Sequence, residues 1–121
     1  MFEYITYKDK QGKDAIYEYI EELAQKAQTS KTDKIKLKKI FEYLDILMQK
    51  GTWAGEPYVK KIDGDIWELR PIDTRIFFAY WKDNMFILLH HLPIKKTQKT
   101  PPKDIKQAKA NLKDWLERND N

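Results

Sequence analysis

Along this 121-residue chain the spacing of apolar residues switches between period two and helical period. Phe2–Tyr7 alternates apolar and polar positions, which predicts an opening strand, and Gly12 breaks it. From Asp14 onward Ile16, Tyr19, Ile20, Leu23 and Ala27 fall on one helical stripe. A polar link, Thr29–Thr32, offers Ser30 or Thr32 as N-cap to a second helix. That helix carries Leu37, Ile40, Phe41, Leu44, Leu47 and Met48 on one face and ends at Gly51, a natural terminating residue. Two amphipathic helices with a short link predict a helical hairpin that lays one face on a sheet.

The second half returns to period two. Tyr58–Ile62 and Ile66–Arg70 read as strands joined at Asp63-Gly64, a strong hairpin signal. Pro71-Ile72-Asp73 turns into a strand at Arg75–Trp81, and Lys82-Asp83-Asn84 turns into a last strand at Met85–Leu92. Pro93 ends it, Lys95–Thr100 is a basic loop, and Pro101-Pro102 open a final helix. Its buried stripe is Ile105, Ala108, Leu112, Trp115 and Leu116. The order β-α-α-β-β-β-β-α predicts one α+β domain over residues 1–121, with helices gathered against a mainly antiparallel sheet.

Charge adds a direction. Net charge is +4, and residues 93–121 alone hold eight Lys/Arg against four Asp/Glu. Lys95, Lys96, Lys99, Lys103, Lys106, Lys109 and Lys113 follow one another with Asp104 the sole acid among them, which suits a polyanion such as nucleic acid or simply a solvated helix. There is no cysteine, which excludes thiolate chemistry and suits a reducing cytoplasm. No apolar run is long enough for a membrane helix, and the first residues lack a signal-peptide pattern. The four scattered glycines form neither a Walker loop nor GxGxxG, so no nucleotide cofactor is expected. No spaced acidic pair or thiolate set predicts a metal.

The candidate chemistry lies between Leu69 and Pro101. Arg70 and Arg75 flank a short turn, close enough to share either a phosphate or a carboxylate from Glu68, Asp73 or Asp65. His90 and His91 are adjacent on a strand and point to opposite faces, so at most one serves a common site as acid or base, and the two cannot share an ion. Lys60 and Lys61 present one lysine to each sheet face, and Tyr58, Trp67, Tyr80 and Trp81 are placed either to stack bases or to fill the core.

Trp67-Glu68-Leu69-Arg70, Arg75-Ile76-Phe77-Phe78, Leu88-Leu89-His90 and Lys95-Lys96-Thr97-Gln98-Lys99-Thr100-Pro101, with Ile105 and Ala108 beyond, resemble the phage-derived HigB-like branch of the RelE superfamily. Those are toxins of type II toxin–antitoxin modules. The resemblance is strong over residues 58–116. It implies a RelE-like α+β fold with a four- to five-stranded, mainly antiparallel sheet packed against an N-terminal helical hairpin and a C-terminal helix. It implies a cytoplasmic, metal-independent endoribonuclease that needs no cofactor and cuts mRNA on the ribosome. The partner implied is an antitoxin of helix-turn-helix type. By resemblance, Arg70, Arg75 and Lys95 or Lys96 bind phosphate and stabilise transition-state charge. His90 or His91 is the acid or base. Lys60, Lys61, Thr97 and Lys99 contact RNA. Three features depart from the pattern: Glu68 stands where RelE-type strands carry a lysine, no tyrosine follows Lys95-Lys96, and His91-Leu92-Pro93 replaces the usual Gly-Phe. Glu68 is therefore either a general base or a salt-bridge partner of the arginines. The alternative function is a nucleic-acid-binding regulator with the same fold and no catalysis.

Overall fold

A computed structural model describes residues 1–94 and 98–119. Five strands, β1 (Glu3–Thr6), β2 (Val59–Asp63), β3 (Ile66–Leu69), β4 (Thr74–Tyr80) and β5 (Met85–Pro93), form one sheet in the order β1-β5-β4-β3-β2. The β2–β5 meander is antiparallel, whereas β1 runs parallel to β5, with Glu3 opposite Met85. The sheet is therefore mixed.

Helices α1 (Ala15–Lys26) and α2 (Lys31–Lys50) form the N-terminal hairpin. Asp14 caps α1 by accepting the Tyr17 N–H at 2.9 Å, and Ser30 caps α2 by accepting the Asp33 N–H at 3.3 Å. Gly51 closes α2 at φ +59° and is packed under the Phe2 ring, where a Cβ would lie 2.8 Å from a ring carbon. A 3₁₀ turn, Gly51–Ala54, follows.

The helices cover both sides of the sheet. The α1–α2 hairpin covers the face carrying Leu69, Ile76, Phe78, Phe86 and Leu88. Helix α3 (Pro102–Asn119) covers the opposite face, with Ala108 against Ile66, Phe77, Ala79, Ile87 and Leu89. The central strands are consequently apolar on both faces, and Ile76 through Ala79 are fully buried. At the far end of α3, the Tyr7 hydroxyl donates to Asp114 at 2.6 Å and ties β1 to the helix. Burial, reinforced by Asp114, pushes the Tyr7 phenol up to about 12.

All three turns of the meander use positive φ, Asp73 (φ +50°) standing between β3 and β4. Gly64 (φ +57°) occupies the first central position between β2 and β3, so the loop is Gly64-Asp65, one residue later than Asp63-Gly64 suggested. Asp83 and Asn84 (φ +55° and +59°) turn β4 into β5. A bulge breaks the β4–β5 ladder: Phe78 pairs with Leu88 but Phe77 pairs with His90, leaving Leu89 extra.

Candidate functional site

The site is built on the α3 face of the sheet. Register places Lys60, Glu68, Phe77 and His90 in one row across β2, β3, β4 and β5. Continuing the β3–β4 register brings Arg70 opposite Arg75 on the next row of the same face. The bulge matters here. Counted by parity from Phe86 and Leu88, His90 would face the helical hairpin, but the extra Leu89 turns it toward α3.

Glu68 is the hub. Its side chain is 0% exposed and accepts from Arg70 Nε, from the Thr100 hydroxyl at 2.9 Å, and faces Arg75 Nη1 at 3.8 Å. A carboxylate is held so deep only because these partners compensate its lost hydration. Arg75 is itself 2% exposed and also donates to the Thr100 hydroxyl and the Gln98 carbonyl. Burial pushes its guanidinium below the ordinary arginine value, an effect Glu68 opposes and Arg70 reinforces. Arg70 differs: its side chain is 28% exposed, and only its Nε is engaged among the described residues. Its terminal amino groups make no hydrogen bond among the described residues.

His90 Nε2 lies 2.9 Å from Asp104 Oδ1 in the first turn of α3, and its ring stacks on Phe77 at 5.6 Å. Such a carboxylate holds the ring in a fixed orientation. Asp104 Oδ2 is buried without a partner among the described residues. His91 points the other way, stacked on Tyr19 of α1 at 4.4 Å, with Nδ1 buried and without a partner among the described residues. Burial, with His90 adding, lowers the His91 pKa and favours the neutral ring.

Cavities open around this core. One of about 380 Å³ is bounded by Tyr43, Glu56, Arg70, Asp73 and Arg75. A second, about 410 Å³, is bounded by Gln98, Lys99, Lys103 and Asp104. His90 borders a third, about 430 Å³, with Tyr7, Lys13, Gln107 and Asn111. The structure thus brings Arg70, Arg75, Glu68 and Thr100 together, and opens His90 into a different cavity from the arginines. Lys60 is exposed on the site's face and Lys61 on the other. Lys95 and Lys96, expected to bind phosphate, and Thr97, expected to contact RNA, lie outside the described residues. Of the aromatics considered for base stacking, Trp81 packs on Trp115, Tyr58 on Tyr43 and Tyr80 on Phe86, while Trp67 is half-buried in the core under the hairpin.

Two partners escaped the sequence reading. Asp104 was noted only as an acid among lysines, and Thr100 only as part of a motif. Their signal is position: both flank the Pro101-Pro102 helix start, where short polar side chains face the preceding structure.

Fold and site together define a small α+β domain compatible with the RelE-like toxin fold, with cationic side chains clustered on one sheet face. The chain belongs to the family described as phage-derived protein Gp49-like (DUF891), whose model matches residues 18–113. That family is related to the toxin–antitoxin toxins of the RelE superfamily, an association that brings a cognate antitoxin as the expected partner. No curated protein matches the chain. No helix among the described residues is long and apolar enough to cross a membrane.

Proposed function

We propose that this chain is a HigB-like mRNA interferase: a metal-independent endoribonuclease that cleaves mRNA on the ribosome and is neutralised by a helix-turn-helix antitoxin. The observation that carries the reading is the Glu68 hub, which holds two guanidiniums and leaves Arg70, on the lining of a cavity, with donors that have no partner among the described residues. Such a pre-organised cation meets a phosphodiester with no reorganisation during the reaction. The 2′-hydroxyl attacks phosphorus as the bond to the 5′-oxygen breaks, leaving a 2′,3′-cyclic phosphate and a 5′-hydroxyl. Arg70, with Lys99 and Lys103 along the neighbouring cavity and Lys95 or Lys96, binds the phosphate and its developing charge. Arg75 is a positioning residue that fixes Glu68 and the Gln98–Thr100 segment. His90, oriented by Asp104, is the acid–base group one rung away. Lys60 and Thr97 contact the RNA backbone, with Lys61 on the far side of the strand.

One observation favours a second reading, a non-catalytic RNA-binding regulator: His90 borders a different cavity from Arg70. Arg70→Ala tests both, because Arg75 is too deeply packed to be removed cleanly. Induced in a bacterial host, the chain is expected to arrest growth within minutes and to cut mRNA inside translated frames. Arg70→Ala is expected to abolish both while antitoxin binding persists. Normal growth and intact mRNA at verified expression of the unaltered chain would sink the nuclease.

A further inference from the structure

We infer that the cavity beside Arg70 is a guanine pocket, with Glu56 and Asp73 as the acceptors that read the base. The inference rests on the ribonuclease reading for what delivers the base, namely the nucleotide adjoining the phosphate on Arg70.

The cavity, at about 380 Å³, is large enough for one nucleotide. Tyr43, Pro57 and Pro71 give it apolar walls suited to a flat ring, and Tyr43 is itself held edge-on by Tyr58 at 5.1 Å. Its charges are arranged unusually. Both arginines on its lining turn to the buried Glu68 rather than to the carboxylates they share the cavity with. Glu56 and Asp73 have no side-chain hydrogen bond or ion pair among the described residues. Asp73 is fixed in place all the same. It sits at φ +50° in the turn between β3 and β4, and its carbonyl accepts the Ile94 N–H at 3.2 Å. Two carboxylates without side-chain partners among the described residues and an arginine on one apolar lining suit a ligand that carries both donors and an anion.

Among the four bases only guanine offers two adjacent donors, N1–H and the N2 amino group, on its pairing edge. Adenine and cytosine place a ring-nitrogen lone pair beside their amino group, which a carboxylate would repel, and uracil flanks its single N–H with carbonyls. A site built to accept both guanine donors therefore rejects the other bases through unpaired or repelled polar atoms.

The test is titration of the four ribonucleoside 5′-monophosphates into the isotope-labelled full chain, followed by amide chemical shifts. GMP is expected to bind at least about tenfold more tightly than AMP, CMP or UMP, with shifts around Tyr43 and Asp73. The double variant Glu56→Gln/Asp73→Asn is expected to bind all four alike. Both side chains are solvent-accessible, and asparagine tolerates the left-handed turn position, so the variant keeps its fold; Glu56→Gln alone is the second check and is expected to give a partial loss. Equal binding of the four nucleotides by the unaltered chain, or a guanine preference that survives the double variant, would overturn the inference. Cleavage mapped in parallel separates it from the nuclease reading. Guanine-selective binding without any RNA cleavage leaves the pocket standing and removes the nuclease. Cleavage with no guanine beside the cuts removes the pocket and leaves the nuclease.

Discussion

Glu68 shows how one residue can decide what its neighbours do. A carboxylate with no exposed side-chain surface is tolerable only beside cations, and each cation is tolerable only beside it. Glu68→Ala leaves the buried Arg75 without its counter-charge and is expected to cost about 3–5 kcal/mol of stability, read from the midpoint of urea unfolding. Arg70→Ala removes an edge partner while Arg75 and Thr100 still serve Glu68, so its cost is expected near 1 kcal/mol. The sequence offered Glu68 as base or salt bridge; its burial against both arginines favours the bridge. His91 carries a second residue-scale expectation. Its half-buried ring stacks on Tyr19, and burial lowers its pKa, which favours the neutral form. In the window below the ordinary histidine value of about 6.5, the unfolded chain binds a proton that the folded chain does not. Stability contributed at this position therefore falls as pH drops through that window and is restored above it. His91→Phe keeps the stack and removes the titration. The unfolding free energy of the variant relative to the unaltered chain is expected to rise between pH 8 and pH 5.5, and a constant difference would refute it.

At the scale of elements, local signals carried most of the fold. Caps at Asp14 and Ser30, the stop at Gly51 and the Pro101-Pro102 start mark helix ends because each acts on backbone groups within a few residues. What the sequence reading missed depends on a distant partner. The parallel pairing of β1 with β5 joins residues some eighty positions apart. The placement of α3 on the face opposite the hairpin follows from the two-sided apolar character of β4, a pattern compatible with either arrangement until the chain is packed. The Leu89 bulge exists only in relation to β4, yet it selects which histidine joins Glu68 and the arginines. Asp14 links two elements, since it also accepts from the Thr6 hydroxyl at the end of β1. Asp14→Ala is expected to lose the cap and this tether together, costing about 1–2 kcal/mol. Ser30→Ala, a half-buried cap whose side chain makes no second bond among the described residues, is expected to cost about half as much. Thermal unfolding of the two variants side by side checks the difference.

Taken whole, the molecule has an apolar sheet covered on both sides by helices. Helix α3 lies on the same sheet face as Glu68, Arg70 and His90, so its lysines and the candidate site border one another. Lys103 lines the cavity next to Asp104, and Lys106 and Lys113 continue the stripe outward along exposed helix positions. Lys109 is spent differently, paired with Asp63 at the end of β2. If this stripe tracks an RNA backbone, binding releases counterions, and affinity must fall linearly with the logarithm of salt concentration. For single-stranded RNA each neutralised phosphate contributes about 0.7 to that slope. Replacing Lys103, Lys106 and Lys113 by glutamine removes three such contacts at sites with no ion pair among the described residues, so folding should be undisturbed. The slope is expected to shrink by about 2, while Lys109→Gln, whose charge is already met by Asp63, is expected to change it by less than a single full contact. Fluorescence-anisotropy titrations with a short RNA at several salt concentrations measure both. An unchanged slope in the triple variant would mean that the basic helix serves solubility alone and that RNA is held by the arginine cluster and Lys60.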